Sequence, residues 1–196
     1  MSRFNRLYVM IALWAAPAAV AQNAHWGVQA EGSYGSFLGF IIDRFSDQLE
    51  GYKVQEANAS SFSAGLVRFH ANGSPNFSVQ YFQMNADARA GRPPDRADGT
   101  GAVHGVMASK HFNFFSREKV SGGLIVGGGI GKGEIDYVIS HNGTFLKQEH
   151  EDHVAPVFEL LASVDIRPVK QLSIGPYYGF RNGFLVGGAA VRFHFR

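Results

Sequence analysis

Side chains that could bind a divalent metal ion are concentrated in one stretch of the chain: His141, His150, Glu151, Asp152 and His153. Imidazole and carboxylate groups are common zinc ligands, but this stretch lacks the strict ligand spacing of a structural zinc site. Asn142 and Gly143 lie within it, and the Asn-Gly dipeptide favours a hairpin turn. We therefore expect a solvated polar loop or extended hairpin here, and we predict no metal and no other cofactor.

Two other patterns resemble catalytic or phosphate-binding motifs, and neither is complete. The segment 127–133 is rich in glycine and contains Lys132, but Val126 and Gly133 occupy the positions where a phosphate-binding loop needs Gly and Ser or Thr. Ser109 and His111 can share one face of a strand, as a nucleophile and its base must. These residue types are generic, so we expect no enzyme activity and interpret the glycines as part of a tightly curved strand that could leave space within the wall.

Charged and apolar residues alternate along several segments of the chain. At the end of the chain Val191, Phe193 and Phe195 share one strand face while Arg192 and His194 share the other, since strand side chains alternate with period two. Similar alternation predicts eight strands, at 25–35, 60–71, 76–87, 102–115, 119–132, 154–167, 171–181 and 184–195. We expect the charged face to form an interior polar network: Glu31, Arg68, Glu159, Asp165, Arg181, Arg192 and His194.

Short and long connections between these strands alternate. The joints at 72–75, 116–119 and 167–170 are short, whereas 36–59, 88–101 and 133–153 are long. The sequence alone does not decide the structure of two regions. The segment 37–49 is equally compatible with an amphipathic helix and with an extension of the first strand, and the fourth strand fits neither register well because each places Lys110 or His111 among apolar neighbours.

The first 21 residues have the features of a cleaved export signal. Arg3 and Arg6 precede an apolar run that ends in the small-residue site Ala19-Val20-Ala21. Without the two arginines, residues 22–196 carry 16 Lys+Arg against 16 Asp+Glu, so no basic patch favours nucleic acid. The chain has no cysteine, which excludes disulfides and thiol chemistry.

The leader, the alternation and the terminal aromatic strand together resemble the small eight-stranded outer-membrane barrels related to outer-membrane proteins A, X and W. The resemblance implies an all-β, antiparallel, up-and-down transmembrane β-barrel over 22–196, located in the cell outer membrane among lipids and lipopolysaccharide. It also implies that Val191, Phe193 and Phe195 form the signal read by the barrel-assembly machinery, although Arg196 follows the last aromatic here. A soluble lipocalin-like barrel shows the same alternation with its apolar face inside.

The expected function is that of a monomeric, non-enzymatic structural or surface-interaction protein acting through long outer loops. The alternative is a narrow conduit or a binding site for a small hydrophobic ligand. A lipid A deacylase is a third possibility, but those enzymes resemble a His-x-Ser arrangement that does not occur in this chain.

Overall fold

The computed structural model describes residues 25–37, 54–92 and 95–195, and in it the chain closes into an eight-stranded barrel. Each strand pairs antiparallel with the next, and β8 returns to pair with β1. The strands are β1 (His25–Phe37), β2 (Val54–Phe69), β3 (Pro75–Arg92), β4 (Asp95–Ser116), β5 (Val120–His141), β6 (Thr144–Val169), β7 (Leu172–Arg181) and β8 (Phe184–His194). The predicted antiparallel up-and-down barrel is confirmed. The leader predicted at 1–21 and nearly all of the segment 37–49 lie outside the described residues.

Most of the large apolar side chains on the described strands point outward, as expected for a barrel with a polar interior and unlike a lipocalin. Within the described residues, no helix has the length and apolarity to cross a bilayer. The outward apolar residues encircle the barrel, and we call this ring the apolar belt. Its half-exposed members include Trp26, Val28, Tyr34, Phe62, Leu66, Val79, Tyr81, Val106, Phe112, Ile130, Phe158, Leu160, Val164, Ile174, Tyr178, Val191 and Phe193.

The fourth strand takes the register that places His111 inside and Lys110 outside. Ser109 and His111 are buried, and Lys110 lies on the outer face between Ala108 and Phe112. Its ammonium group donates a hydrogen bond to the Oδ1 atom of Asn76 at the start of β3. Phe112 and Phe114 continue this outward face, and a register shift between Asn113 and Phe115 leaves Phe115 exposed as well at the strand end. Lys110 is tolerated because it lies near the rim, where a long side chain can reach water.

Paired strands occupy two of the predicted long connections: the loop assignment of 88–101 is wrong, and of the two alternatives left open within 133–153 the extended hairpin is the one observed. Paired β3 and β4 extend through most of 88–101, and paired β5 and β6 extend through 133–153. The β5–β6 hairpin turns at Asn142 and Gly143, both with positive φ, as its Asn-Gly sequence favours. Of the first long connection, residues from Val54 onward belong to β2. Hydrogen bonds between the paired strands satisfy the backbone in these extensions, except on the side of β6 that faces away from β5.

The extensions make the barrel taller on one side. Ser36 pairs with Asn58, and β7 pairs with β6 only from Glu159 onward, so β3, β4, β5 and β6 rise beyond β7, β8 and β1, while the start of β2 stays paired with β3 as far as Ala90. We call the risen part, residues 83–92, 95–104, 132–141 and 144–154, the projecting sheet. Its inner face carries a small buried cluster of Ala90, Ala97 and Ile139, and its outer face is largely polar.

Candidate functional site

The barrel interior contains a buried ion triplet at mid-height, which we call the upper ionic cluster. The Nη2 atom of Arg181 lies 2.8 Å from Glu31 Oε2 and 2.6 Å from Glu159 Oε2. The three side chains are at most 3% exposed. They come from β7, β1 and β6, so the triplet crosses the barrel and connects walls that are far apart in sequence.

Hydroxyl groups complete the upper ionic cluster. Ser109 donates a 2.5 Å hydrogen bond to Glu159, and Ser63 donates one of 3.3 Å to Glu31. Arg181 donates to the Ser61 hydroxyl, and its guanidinium lies 5.4 Å from the centre of the Tyr177 ring. A buried charge is tolerated only when it is paired and hydrogen-bonded, and each member here meets both conditions.

A second ion pair lies nearer the end of the barrel with the short turns. Arg192 pairs with Asp165, and its Nε atom donates a 3.2 Å hydrogen bond to Gln29. Gln29 in turn donates to Gln80 at 2.7 Å. We call these four residues the lower ionic cluster. Together the two clusters fill the interior, which in an eight-stranded barrel is only wide enough for side chains.

Below the lower ionic cluster, an aromatic layer closes the barrel. The ring centres of His194 and Phe69 are 3.7 Å apart and the rings are nearly parallel, and the centre of the His25 ring lies 5.2 Å from that of Phe69 and 5.4 Å from that of His194. His25 Nε2 and His194 Nδ1 are 3.2 Å apart, and the Ser173 hydroxyl is 3.3 Å from His194 Nε2. Interior side chains therefore fill the described barrel from this layer up to the apolar cluster around Phe82 and Met107.

The structure brings together most of the residues assigned to the interior from the sequence, but the assignment of Arg68 is wrong. Its neighbours Val67 and Phe69 are fully buried, and Arg68 lies on the outer face beyond Leu66. The aromatic layer requires this register, because Phe69 must point inward to stack on His194. Arg68 is half-buried near the rim, where its long side chain can reach water.

Three further interior residues are absent from the predicted polar network. Arg167 belongs to the predicted turn 167–170, yet it continues the inward alternation of β6 two positions after Asp165 and is only 7% exposed. His111, whose register the sequence leaves open, contacts the Ser78 hydroxyl at 3.2 Å. His25, the first residue of the predicted first strand, contacts the Phe69 ring. Arg167 could have been found by following the odd-numbered positions one step further.

The glycines of β5 and β7 make room for the ionic clusters and do not leave a channel. A methyl group on Gly127 would lie 2.4 Å from Ser109 Oγ and 2.7 Å from Glu159 Cγ. One on Gly175 would lie 2.4 Å from Asp165 Oδ1 and 2.6 Å from Arg192 Nη1. The expectation that wall glycines such as Gly127 leave free space is therefore wrong, because ion-pairing side chains occupy it.

Ser109 and His111 face inward together without forming a nucleophile and base pair. The Ser109 hydroxyl donates to Glu159, whereas His111 is bonded to Ser78. Both side chains are buried among interior groups, at 0% and 4% exposure. The geometry offers no contact by which His111 could take a proton from Ser109.

The outer face of the projecting sheet carries a ladder of ionic contacts. Lys132 Nζ lies 2.9 Å from Glu134 Oε1 and 3.1 Å from Asp152 Oδ2. His150 Nδ1 lies 2.8 Å from Asp136 Oδ1. The hydrogen bond from Lys132 lowers the pKa of the Asp152 carboxyl below its usual value. Within the described part of the chain, no three His, Cys, Asp or Glu side chains are placed so that they could hold one metal ion. The contacts around His150 are those of an ion-pair ladder.

His150 is expected to titrate above its usual range in the folded protein. Its hydrogen bond to Asp136 raises its pKa from the usual value of 6.5. Because the folded pKa exceeds the unfolded one, this pairing stabilises the hairpin fully below about pH 6.5 and loses its effect as the pH rises through the folded pKa. A histidine NMR titration should show the raised pKa, and Asp136→Asn should return it towards the usual value. An unchanged titration in that variant would contradict the pairing.

Comparisons with known proteins give fold neighbours only. No protein-family model and no curated protein sequence matches the chain. The structure is similar to the attachment invasion locus protein of Yersinia pestis in complex with sucrose octasulfate, with 16% identity, a TM-score of 0.44, and coverage of 88% of this chain and 98% of that one.

Two other solved structures are similar at the same level. For Neisserial surface protein A the identity is 13%, the TM-score 0.42, and the coverage 89% of this chain and 100% of that one. For the N-terminal β-barrel domain of OprF from Pseudomonas aeruginosa the identity is 13%, the TM-score 0.38, and the coverage 89% and 98%. The strand order and closure of the chain show the fold of a small eight-stranded antiparallel β-barrel, which is the fold of the outer-membrane barrels that its sequence resembles.

Proposed function

We propose that this chain is an integral outer-membrane barrel that presents its projecting sheet at the cell surface. The apolar belt is the observation that carries this proposal, because an aqueous environment offers no reason for a closed ring of outward Trp, Tyr, Phe, Leu, Ile and Val. An outward Arg or Lys at the bilayer midplane would cost about 2–4 kcal/mol. The described outward positions at mid-belt are all uncharged, and Arg68 and Lys110 lie near the rim.

The orientation follows from the leader and the turns. An exported chain with an even number of strands has both ends on the same side, and outer-membrane barrels keep their short turns in the periplasm. Lipids and lipopolysaccharide then surround the apolar belt of a monomer. Val191, Phe193 and Phe195 are half-exposed on the outer face of β8, where assembly machinery could read them before β8 pairs with β1.

The membrane location has a direct test in Trp26. It lies on the outer face of β1 and is 47% exposed. In vesicles containing lipids brominated at defined depths, we expect its fluorescence to be quenched most strongly by bromines near the headgroups, with Trp14 removed along with the leader or replaced by Phe. The unboiled protein should also migrate differently from boiled protein in electrophoresis. Efficient quenching by water-soluble iodide and no response to brominated lipid would contradict the proposal.

The projecting sheet favours a surface-interaction role, because β6 has an open edge there. Beyond Glu159 no described strand pairs with that side of β6. Asn182 caps the last paired position: its backbone N–H donates to Phe158 O, and its side-chain oxygen accepts from Phe158 N–H. By strand alternation, the next groups on that edge belong to Pro156, which has no N–H, and to Val154. An open edge can pair with an extended segment of another protein.

The role is tested by changing the projecting sheet without changing the barrel. Replacing 135–151 by a short Asn-Gly turn should leave heat-modifiable migration intact and abolish attachment to cells or matrix. Val154→Pro removes an N–H from the open edge of β6, whereas the control Val154→Thr keeps it. Loss of attachment in the proline variant alone supports edge pairing. Full attachment by the hairpin deletion would refute the surface role.

No specific contact favours the conduit or the lipid hydrolase. The ionic clusters and the aromatic layer fill the described interior. In planar bilayers we therefore expect no conductance steps from the wild-type barrel. Conductance steps that recur in independent preparations and change when Arg181 is replaced would contradict the prediction that the interior is closed to ions.

A further inference from the structure

A cavity of about 270 Å³ opens at the end of the barrel with the short turns. All three short turns contribute to its wall, together with the start of β1 and the end of β8. Its size is close to the lower limit of ligand pockets, which start at roughly 300 Å³, so it suits a small group. The proposed orientation places this cavity in the periplasm, and the kind of ligand that fits it follows from its lining residues alone.

Arg167 spans this cavity and is held in place by two turns. Its Nη1 atom donates to the carbonyl of Asn72, and its Nη2 atom donates to the carbonyl of Arg117. Gly73 permits this position, because a methyl group there would lie 2.5 Å from Arg167 Nη1. The Arg167 Nε atom is buried and has no hydrogen-bond acceptor among the described residues. The guanidinium is thus held by two of its five N–H groups, and Arg167 lines the cavity.

The other ionisable side chains of the wall are mainly basic. Lys119 and Lys170 come from different turns, His25 and His194 form the floor, and Glu118 is the one acidic side chain among the lining residues. With both histidines neutral, the lining carries three cations against one anion. Such a concave basic surface favours a compact anion, and lysine ammonium groups together with an arginine are typical ligands of phosphate.

We propose that this cavity binds a phosphate group. Arg167 supplies a guanidinium fixed by two turns, and Lys119 and Lys170 supply charge from two different turns. The group can belong to a free phosphate monoester or to the headgroup of a phospholipid in the adjacent leaflet. Both sources present the same chemistry to the cavity.

The test titrates inorganic phosphate into the refolded mature chain in non-ionic detergent at constant ionic strength, with chloride as the competing anion. NMR signals of the His25 and His194 rings and of Arg167 Nε–H report on binding. We expect a saturable shift that the double variant Lys119→Gln/Lys170→Gln weakens about tenfold. Arg117→Gln removes the same kind of charge from the same turn as Lys119 without lining the cavity, and it should change the affinity less than about twofold.

A second arm separates the two sources. In nanodiscs of phosphatidylglycerol without added phosphate, a headgroup ligand already produces the shift, and added phosphate changes little. A free ligand instead gives the same titration in nanodiscs as in detergent. Either result supports the site. A shift that does not saturate, that chloride reproduces, or that falls equally in Arg117→Gln and the double variant overturns the proposal.

Discussion

Replacing Arg181 by methionine should destabilise the barrel by about 3–5 kcal/mol, because removing one partner of a buried ion pair leaves an uncompensated charge. Here two carboxylates, Glu31 and Glu159, lose their shared guanidinium. Ser63 and Ser109 would still donate to them, but hydroxyl groups do not neutralise charge. Methionine has nearly the length of the arginine stem, so lost packing contributes little.

Urea unfolding of the barrel in lipid vesicles measures this loss. The matched control is Arg89→Gln, which removes an arginine whose contacts with Glu56 and Asp98 are 4.0 and 3.9 Å long and largely exposed. That change should cost less than about 1 kcal/mol. A triple variant, Arg181→Met/Glu31→Leu/Glu159→Leu, should recover most of the stability, since an apolar replacement of the whole cluster leaves no buried charge. Equal stability of Arg181→Met and Arg89→Gln would contradict the role assigned to the cluster.

The tetrad Val-Arg-Phe-His occurs twice in the chain, at 67–70 and at 191–194. Its two copies show which features of a strand can be predicted from the sequence and which cannot. In 191–194 the arginine and histidine point inward, and in 67–70 the valine and phenylalanine do. Period-two alternation identifies both segments as strands but does not say which face is inside. That choice depends on tertiary contacts: Phe69 stacks on His194, whereas Arg192 pairs with Asp165. The sequence therefore predicts that both segments are strands, but it does not predict which side chains near the end of a strand point into the barrel.

The sequence leaves the projecting sheet undecided between loop and strand for a related reason. Residues 147–153 of β6 contain no apolar residue, so they show no alternation of apolar and polar side chains. The usual strand signal is then lost while backbone pairing continues. The Asn142-Gly143 dipeptide was the remaining local sign of a hairpin, and the structure places the turn there.

Gly129→Ala should cost about 1–3 kcal/mol, the usual range for overpacking a well-packed site. A methyl group on Gly129 would lie 2.0 Å from the carbonyl oxygen of Val106 and 2.8 Å from Met107 Cα. Both are backbone atoms of β4, so relief requires the two strands to separate. We therefore expect the upper half of that range, whereas a clash with a flexible side chain would cost less.

The adjacent glycine provides the control for this prediction. Gly128 faces outward, and a methyl group there would have only the carbonyl oxygen of Val157 nearby, at 3.9 Å. Gly128→Ala should leave the urea midpoint nearly unchanged, because it alters the same segment on the lipid side. If both variants lost equal stability, the cause would be the strand propensity of glycine and not the close approach of β5 to β4. A methyl group on Gly105 of β4 would make the corresponding contact in the other direction, 2.1 Å from the carbonyl oxygen of Ile130 in β5. The double variant Gly105→Ala/Gly129→Ala should therefore lose less stability than the sum of the single changes, since one separation of the strands relieves both.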